Sequence, residues 1–309
     1  MSGAWVAGSV RARLLVAERC LGSQALQELA ASPSLREALV LLGRSPYRRG
    51  LGLELGLAEA QHAIASKTLL DLRVLAGWLP SDSLALLRAL GAGYELANLE
   101  DRIAYLAGAT LRRPFELGSL AAAWPRAAEA QSLDELRRAL AASSWNDPGG
   151  ETPSELGLGL RLAWARRVAA EAPEVRSWAA GAAALLLARE LFVVGLPVEI
   201  LPLPTLALLG TGWRTAVTFE RFVESLQQDA AWALDGVDGP AELWRAEARW
   251  WTHCEEDGQR LMRSGLGDRQ VVIGAVGLLA ADAHRVAAAL EAVVRRGLAG
   301  VEEAFDAAA

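Results

Sequence analysis

Lysine is almost missing from this chain: Lys67 stands alone, and arginine carries the rest of the positive charge. That is a compositional habit with no mechanistic weight. Strand formers are also scarce. There are 3 Tyr and 5 Phe, and Ile and Thr are sparse, while Ala, Leu, Arg and Glu dominate. A chain with little β-branched and aromatic supply has few residues suited to sheets, so an all-α fold is expected. With 309 residues, 52% of them hydrophobic, it can bury a sizeable core. The formal charge of −6 is spread in mixed-sign pairs, with no basic stripe or arginine-rich arm, which argues against a nucleic-acid partner. The 2 cysteines, Cys20 and Cys254, lie far apart and form no C-x-x-C, so they suggest a reducing compartment and no disulfide framework. The opening MSGAWVAGSVRARLL puts Arg11 and Arg13 after a short apolar part and does not read as a secretory signal.

The usual carriers of chemistry are missing too. The 3 histidines, His62, His253 and His284, form no H-E-x-x-H and no i, i+4 pair. The chain has no D-D-x-x-D, no G-K-[ST] after a glycine loop and no G-x-S-x-G. The densest local cluster is WWTHCEED, with His253, Cys254, Glu255, Glu256 and Asp257. His253 and Asp257 share a helix face, but a metal would need two more ligands from elsewhere. The plainer expectation is a solvated face with Trp244 and Trp251 packed inward. No catalytic, cofactor-binding or metal-binding residue is assigned, and no cofactor is expected. The most apolar region runs from Trp178 to Trp213, broken by Arg189, Glu190, Pro197, Glu199, Pro202 and Pro204. A spanning helix needs about 20 predominantly apolar residues with few charges, so no direct membrane insertion is expected.

What the chain does have is repetition. SLREALVLLGRSPY (34–47) and SLDELRRALAASSW (132–145) both open Ser-Leu-x-Glu and both end on a serine near an aromatic ring. Both carry leucines at helical spacing, Leu35, Leu39 and Leu42 in one and Leu133, Leu136 and Leu140 in the other. Ser34/Glu37 and Ser132/Glu135 fit the capping box, in which the serine accepts from the third helical N–H and the glutamate reaches back to the cap. A degenerate third copy, TFERFVESLQQDAAW, starts at Thr218 and closes on Trp232, with Arg221 in the place of the glutamate. After each copy comes a turn and then two long helices: about 57–79 and 83–108, then 154–172 and 174–195, then 241–264 and 269–297. The period is roughly 90 residues, far longer than a common solenoid unit. Three modules are therefore expected, at 1–115, 116–213 and 214–309, stacked or closed about a pseudo-three-fold axis. One polar position interrupts an apolar stripe: Asn98 sits at the edge of Leu99, Ile103 and Leu106, facing either solvent or a neighbouring loop.

YELANLEDRIAYLAGATLRRPF resembles a helix of the C-subunit family of V-type (archaeal and bacterial A-type) rotary ATPases, known in eukaryotes as the d-subunit family. The resemblance is carried by Glu95, Asn98, Leu99, Gly108 and Arg113-Pro114. GSVRARLL, SLREALVLLGRSPY and AADAHRVAAALEAVVRRGL are similar to the family's start, first short helix and final helix. GAAALLLARELF lacks both the acid and the Asn, and the last copy keeps Asp282 but has Arg285 where Asn would fall. The resemblance implies a funnel-like body of three similar helical modules and a non-catalytic rotor role. Proteins of that kind couple the central-stalk subunits to the membrane proteolipid ring during proton or sodium transport or ATP synthesis, from the cytoplasmic face and through protein partners. The alternative is an all-helical adaptor or scaffold of the same fold working outside a rotary ATPase.

Overall fold

The computed structural model describes residues 3–198, 206–265 and 267–306. Glu199, Pro202 and Pro204, read above as interruptions of the apolar region, lie outside the described residues. The described residues are helical, with no strand among them, so the all-α expectation holds. The helices are α1 (Gly3–Arg19), α2 (Ser23–Ala30), α3 (Leu35–Leu42), α4 (Leu57–Ala76), α5 (Leu84–Leu90), α6 (Ala92–Leu106), α7 (Trp124–Ala127) and α8 (Leu133–Ala141). They continue with α9 (Pro153–Glu171), α10 (Arg176–Arg189), α11 (Leu206–Leu209), α12 (Phe219–Ser225), α13 (Gln228–Ala231), α14 (Leu243–Leu261) and α15 (Arg269–Asp306).

The chain groups into two compact units. One joins residues 1–80 to residues 255–309, and the other comprises residues 81–254. In the first unit the final helix meets the first ones: α15 packs on α1, α2, α3 and α4. Its core gathers Leu39, Leu42 and Tyr47 from the first repeat, Ile64 from α4, and Val286 and Leu290 from α15. In the second unit α9 lies against α5, α6 and α10. There Leu136, Leu140 and Trp145 of the second repeat pack with Leu96, Leu99, Ile103, Leu156 and Leu160. The repeat divides the sequence into three, whereas compactness groups it into two, because the C-terminal helix supplies the long partner that the first short helices need.

The three caps form as their sequences suggest. Ser34 accepts from the Glu37 amide, Ser132 from the Glu135 amide and Thr218 from the Arg221 amide, at 3.3, 3.2 and 3.3 Å. The reciprocal half of the box differs from expectation. Glu135 reaches the Gln131 amide, one residue before the cap, at 2.8 Å, and Glu37 makes no such bond among the described residues. The exits also match. Ser45, Ser143 and Ser225 donate to the carbonyls of Leu42, Leu140 and Phe222 at 2.8, 2.7 and 2.7 Å. The first two also accept from the amides of Tyr47 and Trp145, both at 3.1 Å.

The expected helix over 83–108 is broken. Gly91 ends α5 and precedes α6 with φ −87° and ψ 3°, a bridge-region conformation that a glycine adopts at little cost. The expected helix over 174–195 holds as α10 and then loosens into a π turn over Glu190–Val194. Among the described residues two stretches, Pro173–Val194 and Arg269–Gly297, are long and apolar enough to cross a membrane. In the second, 67% of the apolar window is buried within the protein, as the packing of α15 requires; in the first, 44% is.

The turn NDPGGETP returns the chain so closely that α9 must carry a glycine against it. A Cβ on Gly159 would lie 2.2 Å from the carbonyl oxygen of Pro148. The oxygen belongs to the backbone and the Cβ is fixed by it, so neither can rotate away. Gly159→Ala is expected to destabilise the protein by about 3 kcal/mol, the upper range for overpacking, measured by urea denaturation. Gly157, whose added Cβ would meet nothing within 4 Å, is the matched control: Gly157→Ala should be neutral or stabilising.

Candidate functional site

Two of the buried acids, Glu95 and Asp282, sit in constellations of one design. In the second unit Glu95 of α6 is 1% exposed. A carboxylate so deeply buried requires donors, because an unpaired buried charge is severely penalised. Glu95 has four. Its Oε1 accepts from the amides of Ala122, Ala123 and Trp124 at 2.7, 2.7 and 2.8 Å, and its Oε2 accepts from the indole Nε1 of Trp145 at 2.7 Å. The Arg167 guanidinium lies over the Trp145 ring, 4.6 Å from a centroid, so a cation covers the ring that donates to the anion. Burial lowers the Arg167 pKa, while Glu95 and Glu171 oppose that shift.

In the first unit Asp282 of α15 is fully buried. It accepts from the Leu21 amide at 3.0 and 3.1 Å and from the Tyr47 hydroxyl at 2.8 Å. The parallel is close. In each unit a long helix carries the acid, which binds the backbone ahead of a short helix. The exit ring of the Ser-capped repeat donates to the acid. Burial raises the Asp282 pKa above its ordinary value, against the lowering effect of its Tyr47 and Leu21 hydrogen bonds and of Arg285. Arg285 lies 3.8 Å away and pairs with Glu255 at 2.8 Å. Beside them the Cys20 thiol is pushed up to about 12 by burial and by Asp282, so it is protonated and a poor nucleophile. Lys67 and Asp71 pair within this unit as well, both buried, so the single lysine of the chain serves the interior.

Asn98 faces the loop. It is 1% exposed, its Nδ2 donates to the Phe115 carbonyl at 3.0 Å, and its Oδ1 accepts from the Phe115 amide at 2.7 Å. The side-chain amide thus pairs with one residue as a neighbouring strand would. The third copy meets no such acid, because the helix its exit packs on, α10, carries Gly181 where the ring arrives. Its ring, Trp232, donates to the Asp229 carbonyl of its own turn at 2.9 Å. The ring rests on Gly181 of α10, where a Cβ would come within 2.8 Å of it.

The WWTHCEED residues do not converge. His253 stacks on Trp232 with ring centroids 4.0 Å apart, Cys254 is buried, Glu255 pairs with Arg285, and Asp257 pairs with Arg260. Among the described residues no group of three or more His, Cys, Asp and Glu side chains is placed to hold a metal. Trp244 corrects the expectation that it packs inward: it is 66% exposed, with the Arg245 guanidinium 5.2 Å from its ring centroid. Asn98 stands out in the sequence, and the two acids enter only as positions of the family resemblance. The donors at 122–124 and at Leu21 do neither, because backbone amides leave no mark there.

Trp145→Phe keeps the ring and removes one donor to a buried charge. It should cost about 1.5–3 kcal/mol, and Trp232→Phe, whose donor serves only a turn carbonyl, about 1 kcal/mol or less; thermal and urea denaturation will rank them. Asp282 binds its proton more tightly folded than unfolded. Its contribution is therefore complete at low pH and is lost as pH rises from about 3.8 to the raised value. The stability of the native protein relative to Asp282→Asn should fall over that window and then level off. A constant or rising difference in denaturation between about pH 3.5 and 7 would contradict it.

No protein-family model matches the chain, and no curated protein matches it.

Proposed function

We propose that this chain is a non-catalytic rotor subunit, coupling the central stalk of a V-type or A-type rotary ATPase to its membrane proteolipid ring for proton or sodium transport or ATP synthesis. It would be a three-module helical body with modules related by a pseudo-three-fold axis. It would sit on the cytoplasmic face through its protein partners, with no nucleic acid, no cofactor and no insertion of its own into the membrane. The observation that carries this reading is the duplicated latch. Glu95 with Trp145 and Asp282 with Tyr47 repeat one device at the exit rings of the two better-preserved short helices, and Glu95 and Asp282 lie in the segments that resemble the rotary-ATPase family. A part that transmits torque must hold its helical hairpins rigidly to one another. Buried carboxylates that bind backbone amides do that, and their oxygens are occupied by the protein itself.

The test is recovery from the native host. The chain is tagged, membranes are solubilised gently, and co-purifying proteins are identified by mass spectrometry. The expected result is recovery of a proteolipid ring together with stalk and catalytic-head subunits. Recovery from the soluble fraction alone, without ATPase subunits, would overturn the proposal and favour an adaptor of the same fold.

A further inference from the structure

Arg102 of α6 is 7% exposed. A buried guanidinium is normally matched by a carboxylate, yet among the described residues none forms an ion pair with it. Its Nη2 donates to the neutral carbonyl of Ala130, its face lies 5.0 Å from the Tyr105 ring centroid, and its Nε has no acceptor. It lines a groove of about 180 Å³ on the second unit, shared with Arg112, Leu111, Pro114, Trp124 and Ala128. The acid in the groove, Asp101, reaches Arg112 at 3.7 Å, and the Arg112 side chain is 81% exposed, so this is a weak pair that a better acceptor can displace.

We propose that this groove receives an acidic side chain, Asp or Glu, presented by a segment of a partner protein. Charge selects the guest: a buried cation without a counter-ion among the described residues and an exposed one at the rim line the same space. A carboxylate is the acceptor that matches the forked geometry of guanidinium donors. Size selects it too. The groove is smaller than the roughly 300–1,000 Å³ of sites that take whole cofactors or drug-sized ligands, but it admits a side chain. Leu111, Pro114 and Ala128 supply the apolar wall against which its methylenes lie. Nothing in the groove requires a rotary machine: any partner with an exposed acid in an ordered segment would serve.

The test uses the full chain labelled with ¹⁵N in its arginine side chains and observed by NMR. Four probes are titrated: a blocked pentapeptide with one central Glu among alanines, its Gln counterpart, N-acetyl-glutamate amide and inorganic phosphate. The Glu peptide is expected to shift the Arg102 and Arg112 signals saturably, and the Gln peptide to leave them in place. N-acetyl-glutamate amide should bind at least about tenfold more weakly than the Glu peptide, a difference of one decade in Kd. Arg112→Gln should weaken the Glu peptide about fivefold to tenfold, and Arg102→Met should abolish its binding while the helical circular dichroism is retained. If Arg102→Met does not fold, the Glu–Gln comparison and Arg112→Gln decide. Any one of four results overturns the proposal: no saturable shift with the Glu peptide, equal binding of the Gln peptide, unchanged affinity in folded Arg102→Met, or equal affinity for the free amino-acid derivative. Inorganic phosphate binding as tightly as the peptide would overturn the choice of carboxylate.

Discussion

A carboxylate placed in an apolar interior must be answered by hydrogen-bond donors or the fold fails, and the second unit is arranged around that requirement. Glu95 gathers the amides of Ala122, Ala123 and Trp124 and the indole of Trp145 into one cluster. Those donors come from the segment that starts α7 and from the exit of α8. A single side chain thereby fixes where two short helices sit on α6. The apolar packing of Leu136, Leu140 and Leu160 around it is non-directional and would tolerate sliding. The four hydrogen bonds do not, because each has a length and an angle to keep.

The same solution reappears on α15, with Asp282, Tyr47 and the Leu21 amide. The shorter acid goes with the longer reach of a tyrosine hydroxyl, and the longer Glu95 with an indole. The third copy shows the arrangement when the helix its exit packs on, α10, carries no acid. Trp232 turns its N–H to a carbonyl of its own turn and lays its ring where Gly181 leaves room. A polar latch has been replaced there by contact of a ring with a bare backbone, which keeps the helices close without a charge to satisfy. The all-helical architecture is common to all three copies, and the chemistry that fastens it is common to two.

Much of this was legible in the sequence, for physical reasons. Ser34, Ser132 and Thr218 act within a few residues of themselves, so their caps could be read from local pattern alone. The bounds of α4, α9 and α14 followed from periodicity, from Pro80 and Pro173, and from the NDPGGETP turn. Gly91 leaves little mark because a lone glycine in a helical pattern is usually tolerated, and here it separates α5 from α6. The pairing of the last helix with the first ones was not legible, since apolar faces carry no address. The partners of Glu95 and Asn98 were hidden for the same reason: three amides and a carbonyl contribute no letter of their own. Trp244 was misread because a large aromatic on an amphipathic helix is usually buried, and nothing local marks the exception.

Glu95 is the fastening of the second unit, and hydrogen exchange tests that most directly. The amides of Ala122 and Ala123 lie outside regular helix, and Trp124 only begins a four-residue one, so their local structure alone would let them exchange quickly. If Glu95 holds them, they should exchange as slowly as the amides of α6 and α9, through opening of the whole unit. In Glu95→Gln that protection should fall while the middle of α9 keeps most of its own. Fast exchange at 122–124 in the native protein, comparable to the exposed loop at 110–113, would contradict the central claim.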